Sequence, residues 1–288
     1  MELFQYPYMQ RALIAALVIG LAAPALGIYL VQRRLTLIGD GIGHVALTGV
    51  GAGLLLNRSP VLVAVIVATA GAVAIELVRA RGRTSGDLAL ALLFYGGIAG
   101  GVLLVGLSDA TSANLNAYLF GSLTTISATD LTTIVVLGGA ILVAMIALRP
   151  ALFAVSHDEE YARVSGLPVR TLNLLIAVTT AITVTIAMRA VGVLLISALM
   201  VVPVATAQQV TRGFRSTMTA AMALGLFAAG TGVWVAATAD TAPGASVVLV
   251  AIASFLVVAV GAAIWRALRR RATPAPVAPA EPHEVVLR

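Results

Sequence analysis

The sequence predicts an all-α, polytopic bundle of about nine transmembrane helices, and three observations carry that prediction. The 288 residues are 60% apolar and only 10% charged, with a mean hydropathy of +1.04, far from the balance of soluble domains. Apolar stretches of about 20 residues, enough to cross a hydrocarbon core of roughly 30 Å, follow one another with short polar gaps. The arginines gather at the ends of those stretches rather than on one face, which reads as topology and not as nucleic acid binding. Lipid offers the backbone no hydrogen bonds, so each stretch is expected to satisfy its own amides as a helix.

The first span, 12–32, contains Pro24 and ends in Arg33-Arg34. It is too long for a signal-peptide core and lacks a small-residue cleavage site, so it is read as retained. The second, 36–56, carries Asp40, His44 and the glycines Gly39, Gly41, Gly43, Gly49, Gly51 and Gly53. The third, 60–78, and fourth, 88–107, flank a basic loop with Arg79, Arg81 and Arg83. Before the fifth, 130–148, the apolar insert Ala117 to Gly121 is too short to cross and is expected as a short helix against the bundle. The sixth, 170–188, and seventh, 190–211, are divided only by Met188-Arg189-Ala190. That is too little for an ordinary loop, so one broken or re-entrant helix buried in protein, and eight spans in all, is the alternative. Spans 217–238 and 246–265 complete the set.

Arg33, Arg34, Arg79, Arg81, Arg83, Arg149, Arg163, Arg170, Arg212, Arg215, Arg266 and Arg269 to Arg271 fall on one side, against Arg11, Arg58 and Arg189 on the other. By the positive-inside rule the amino terminus is expected outside and the carboxyl terminus in the cytoplasm of a plasma-membrane protein. Residues 1–271 form the membrane domain, and 272–288 a proline- and alanine-rich tail expected to be disordered, with His283 inert in it.

Several chemistries are excluded. Cysteine is absent, which removes disulfides, thiolate metal sites and cysteine nucleophiles. Lysine is absent too, so no G-x-x-x-x-G-K-[ST] phosphate loop exists and any ATP must be bound by a partner. Val45 after His44 rules out H-E-x-x-H, no G-x-S-x-G occurs, and Leu37 breaks the Gly-x-Gly-Asp pattern at Asp40. The reading is therefore not an enzyme, with no catalytic residues and no permanently bound cofactor. Nor is an internal repeat evident, which disfavours a transporter built from inverted halves.

Two segments carry chemistry. Asp40 and His44, four residues apart, project from one helix face a turn apart. A charge within the bilayer costs about 2.5–3.5 kcal/mol even on the gentlest scale, so such residues face a partner or a wet cavity. They could offer a carboxylate oxygen and an imidazole nitrogen to Zn²⁺, Mn²⁺ or Fe²⁺. Equally, they could form an Asp–His hydrogen bond that only fixes packing, or Asp40 could be wetted at the membrane surface. The second segment, Ser156 to Pro168, reads as a two-turn helix at about 157–166. Ser156 with Glu159 suggests a capping box, Asp158 and Glu160 suit the positive helix end, and Gly166 before Pro168 stops it. Tyr161 and Val164 on one side suggest docking of a cytoplasmic partner, a linker helix on the membrane being the alternative.

Four segments in order resemble the membrane permease subunits of the ATP-binding-cassette importers for zinc, manganese and iron. They are Arg33-Arg34-Leu35 through Gly39-Asp40 to His44; Ala117 to Gly121; Asp158 to Gly166 with Val191 to Ile196 and Val202 to Ala207; and Asp240 to Leu249. The resemblance runs from about Ala22 to Ile264 and implies a fold similar to the vitamin B12 and siderophore importer permeases. It implies a homodimeric pore, two cytoplasmic ATPase subunits and an extracytoplasmic metal-binding protein. It places Asp40 and His44 on the metal route, and Asp158, Glu159, Ala162 and Gly166 in the helix that couples to the ATPase. Ser122 stands where many relatives carry an acid, so that loop is not assigned to metal capture. The transported ion is expected to be zinc, with manganese or iron as alternatives. A partner-independent secondary metal transporter and a purely structural membrane subunit are the rival readings.

Overall fold

The computed structural model describes residues 5–80, 86–108, 112–193 and 195–272, and their regular structure is helical throughout. In chain order the helices are α1 (Pro7–Gln32), α2 (Ile38–Leu55), α3 (Pro60–Ala80), α4 (Gly86–Gly106), α5 (Ser112–Phe120), α6 (Ala128–Ala147), α7 (Arg149–His157), α8 (Glu159–Val164), α9 (Val169–Ala187), α10 (Ile196–Gln208), α11 (Phe214–Ala239) and α12 (Pro243–Ala272). Among the described residues seven helices, α1, α2, α3, α6, α9, α11 and α12, are long and apolar enough to cross a membrane. The apolar parts of α4 (Leu90–Gly106) and α10 (Ile196–Gln208) are shorter. The chain is thus a multi-pass membrane protein of all-α architecture. Of the expected tail 272–288, Ala272 ends α12 and residues 273–288 lie outside the described residues, as does the loop with Arg81 and Arg83.

α1 is the central post, packed against α6, α9, α10 and α11. Its buried face is made of small residues, Ala12, Ala15, Ala16, Ala22, Ala23 and Ala25, with Tyr29 reaching across to donate to the Met145 carbonyl at 2.8 Å. Lipid tails are as apolar as leucine, so close approach of small residues and satisfied polar groups hold such helices together. α2 lies in a second layer against α3 and α4, with Gly49 facing Ala64 and Gly41 facing Leu90. Outward, α3, α4 and α12 present Ile66, Leu92, Val102, Leu256 and Val257, the apolar surface a bilayer covers.

The seventh span differs most from the sequence expectation of a helix over 190–211. Helix α9 ends at Ala187, and the chain runs non-helically before α10 begins at Ile196. Thirteen residues of α10 rise about 20 Å, short of the roughly 30 Å a span requires. The open backbone is satisfied by the segment after α5: Val193 N–H donates to the Tyr118 carbonyl at 2.9 Å, and Ser122 N–H to the Arg189 carbonyl at 3.1 Å. Non-helical backbone at membrane depth survives only where protein pairs it in this way. Gly192, at φ +88°, is forced to be glycine twice over, because a Cβ there would also strike the Leu119 carbonyl oxygen.

The expectation of an N-cap at Ser156 is corrected as well. Arg149-Pro150 begins a separate helix, α7, which buries Leu152 and Val155 and runs on to His157, leaving Ser156 helical and buried. Asp158 is the extended residue, at φ −148°, and its Oδ1 accepts from Tyr161 N–H at 2.9 Å. The capping box that does form is Ser127 with Asp130 at the start of α6.

Candidate functional site

α1 does not run straight into α2. Arg33 N–H bonds Tyr29, Arg34 N–H bonds Val31, and Leu35 N–H reaches back to Leu30 at 2.8 Å, with Arg34 left-handed at φ +58°. This is a Schellman stop with arginine where glycine is usual. Helix α2 restarts at Ile38, which makes Asp40 the third residue of its first turn. A carboxylate there faces free backbone N–H groups and the positive end of the helix dipole.

The other partner of Asp40 comes from the broken span. Ser197, in the first turn of α10, donates its hydroxyl proton to Asp40 Oδ1. Two helix starts thus converge on one carboxylate, and Met200 brings its sulfur to the same turn, 3.7 Å from where a Cβ on Gly39 would stand.

His44 lies one turn further along α2, only 9% exposed. Its ring meets Phe94 of α4 edge-on, centroids 4.3 Å apart at 76°, and its Nδ1 is buried without a hydrogen-bond partner among the described residues. Gly97 of α4 lets the backbones close, since a Cβ there would sit 2.6 Å from the His44 carbonyl carbon. No Asp40–His44 hydrogen bond forms among the described residues; the carboxylate spends itself on Ser197. A buried imidazole nitrogen with nothing to bind is an unusual expense in a protein interior.

No group of three or more His, Asp or Glu residues suited to holding a metal occurs among the described residues. Asp40 and Ser197 bring a carboxylate oxygen and a hydroxyl into contact, Met200 sets a thioether beside Gly39, and His44 adds an imidazole nitrogen one turn along α2. Incomplete ligation of this kind suits an ion that must leave again. Ser197 escaped notice in the sequence, although it is the lone polar side chain between Val191 and Val204.

At the end of the bundle near Arg33, α8 is a six-residue helix capped by Asp158. Leu167 N–H bonds Ala162 and Gly166 N–H bonds Arg163, with Gly166 at φ +80°, so glycine closes this helix in the Schellman manner. Ala162 is fully buried against the chain's own core, while Tyr161 and Val164 are exposed. Glu159 joins Arg163 at 3.3 Å and Arg33 at 3.5 Å. Burial, with Arg79 beside it, pulls the Arg33 guanidinium below the ordinary arginine range, and Glu76 and Glu159 pull it back up. Glu76 itself pairs with Arg79 at 2.8 Å.

At the opposite end, Arg189 bonds Asp130 at 3.2 Å and the Thr125 carbonyl at 3.3 Å, and lies over the Tyr118 ring. Burial raises the Tyr118 phenol above its ordinary pKa, against the pull of Arg189 and with the help of Asp130. Leu54, Ala117, Tyr118, Thr125 and Arg189 line a cavity of about 160 Å³. Three of the four motif segments meet beside it: Gly121 abuts Ala190, Gly192 abuts Leu119 and Phe120, and Gly244 abuts Val191. Those motifs hold the backbone of the broken span in place.

Comparison with known proteins matches residues 5–262 to the family described as the ABC 3 transport family. The chain is 31% identical over 250 residues to the manganese transport system membrane protein MntC of Halalkalibacterium halodurans, covering 87% of this chain and 86% of that protein. It is 32% identical to the chelated iron transport system membrane protein YfeD of Yersinia pestis, covering 89% and 86%. It is 30% identical to the high-affinity zinc uptake system membrane protein ZnuB of Haemophilus influenzae, covering 83% and 91%. Among solved structures it resembles PsaBC from Streptococcus pneumoniae in complex with Fab, with a TM-score of 0.80, 29% identity and coverage of 88% and 92%. An inward-facing putative metal-chelate type ABC transporter shares the fold, with a TM-score of 0.72 at 16% identity over 88% and 85% of the two chains.

Proposed function

The chain belongs to the ABC 3 transport family, and on that premise we propose that it is the membrane permease of an ATP-driven importer that moves a divalent metal ion into the cytoplasm. The observation that carries this reading is the Asp40–Ser197 contact with the unpartnered His44 nitrogen one turn along α2, within an otherwise apolar bundle. Relatives named for manganese, iron and zinc support a metal cargo without separating the three. We put zinc first, with manganese or iron as alternatives in the same machine; mixed oxygen and nitrogen ligation accommodates each, and affinity order alone does not discriminate.

In this reading two copies of the chain enclose the pore, and residues 1–271 cross the plasma membrane about nine times with α4 and α10 included. The amino terminus is outside, and the carboxyl terminus and the tail 272–288 are in the cytoplasm. An extracytoplasmic metal-binding protein delivers the ion to the Arg189 end. Cytoplasmic ATPase subunits act at the Arg33 end through α8. Asp158 and Gly166 start and stop that helix, Ala162 seats it, and Glu159, Tyr161 and Val164 meet neighbours. ATP-driven movement then alternates access to Asp40 and His44, which hold the ion transiently.

The test is uptake of zinc, manganese and iron, each alone, by cells lacking their own high-affinity importers and supplied with this chain, its ATPase and its binding protein. ATP-dependent accumulation that collapses in Asp40→Ala supports function and site together. Uptake that persists without the ATPase would instead establish a partner-independent transporter, and full activity in Asp40→Ala would return that residue to a packing role.

A further inference from the structure

We propose that Arg33 is the positioning residue that transmits movement of α8 to α2, the helix bearing Asp40 and His44; this rests on the reading of α8 as the element that docks the ATPase. The backbone of α8 packs chiefly on α7 and α9. Its side-chain reach toward α2 is the Glu159 carboxylate, which meets the Arg33 guanidinium at 3.5 Å. The Arg33 side chain is only 7% exposed while that of Glu159 is 42% exposed, so the contact joins a buried guanidinium to a carboxylate at the surface. Arg33 stands in the short corner between α1 and α2, and the same corner places Asp40 seven positions later.

The corner is stiff enough to pass displacement on. Leu35 N–H is tied to Leu30, Ile38 N–H to Leu35 and Gly41 N–H to Leu37, so hydrogen bonds run without a gap from the end of α1 into the first turn of α2. Next to the Arg33 contact, Gln32 Nε2 lies 3.4 Å from His157 Nδ1, at the last residue of α7. Arg33 also feels a second carboxylate, Glu76 of α3, held by Arg79. A guanidinium tied to α8 through Glu159, and set in the corner that opens α2, is placed to carry a displacement of α8 into that corner. An ion pair joined to a hydrogen-bonded backbone corner is a contiguous physical route for coupling between distant sites.

The experiment uses the complete complex, permease with its ATPase and binding protein, in proteoliposomes, with ATP hydrolysis and zinc or manganese uptake measured in parallel. Arg33→Gln is expected to hydrolyse ATP near the wild-type rate while metal moved per ATP falls about tenfold. Arg33→Lys, which keeps the charge, is expected to recover most of that ratio. Glu159→Gln is expected to lower the ratio similarly, and the double variant to be no worse than either alone. Glu159 is partly exposed, so its variant reports even should Arg33→Gln fail to assemble. A wild-type ratio in Arg33→Gln or in Glu159→Gln, or additive losses in the double variant, overturns the proposal. Absence of ATP-dependent uptake in the wild-type complex would instead overturn the importer reading.

Discussion

Ser197 donates its hydroxyl to Asp40 across 157 positions of sequence, and in doing so joins the first turn of α10 to the first turn of α2. Because α10 begins at Ile196, Ser197 lies in its first turn, so the carboxylate meets the starts of two helices at once.

Ser197→Ala removes the only side-chain donor that Asp40 has among the described residues. A hydrogen bond to a charged group contributes about 1.5–3 kcal/mol, so metal affinity at the site is expected to change by tenfold or more. Isothermal titration of purified protein with zinc and with manganese measures it; an unchanged affinity for both would show that Ser197 serves packing alone.

His44→Leu is expected to separate function from stability. Its Nδ1 has no partner to lose and its ring already rests on the edge of Phe94, so an apolar side chain of similar size leaves no buried polar atom behind. The thermal midpoint should hold or rise, with a stability change within about 1 kcal/mol. Metal uptake should be lost. A large drop in midpoint would mean that the imidazole holds the fold.

Gly97→Val should destabilise the α2–α4 contact, because its Cβ would lie 2.6 Å from the His44 carbonyl carbon. Overpacking of this kind costs about 1–3 kcal/mol. Scanning thermal denaturation in detergent checks it, with Gly96→Val as the control, since a Cβ at Gly96 meets nothing within 4 Å.

Arg189→Gln leaves the partly buried Asp130 carboxylate without its ion pair and frees the Thr125 carbonyl. The pair is neither fully buried nor fully solvated, so the expected loss is about 1–3 kcal/mol, between the surface and buried limits. Asp130→Asn should cost a similar amount, and the double variant less than the sum. Chemical denaturation of the three variants is the measurement, and strict additivity would mean that the two side chains act independently.

Asp158→Ala removes the cap of α8 and is expected to cost about 1 kcal/mol of local helix stability. If α8 docks the ATPase as proposed, the partner must find that helix formed, and affinity for it should fall roughly fivefold. Ser156→Ala should change it little, since Ser156 lies inside α7 and caps nothing.

Much of the architecture was legible because lipid enforces it. An uninterrupted apolar stretch of about 20 residues satisfies its amides in lipid as a helix, so length and hydropathy alone place the central parts of α1, α2, α3, α6, α9, α11 and α12. The i, i+4 relation of Asp40 and His44 and the Gly166 stop are local too, written in a few consecutive residues. The cap was misplaced by two positions, from Ser156 to Asp158, because two residues could each begin that helix and only the burial of Leu152 and Val155, which carries α7 through Ser156, decides between them.

What the tertiary structure alone decided are the long-range pairings: Val193 with Tyr118, Ser197 with Asp40, Arg33 with Glu159 and Arg189 with Asp130. Periodicity and composition describe how a segment meets its solvent, and through that they were enough to specify an all-helical membrane bundle with Asp40 and His44 one turn apart on its second helix. Which polar group meets which depends on where separate helices pack, and in α10 on where a helix starts once another backbone has taken its first hydrogen bonds.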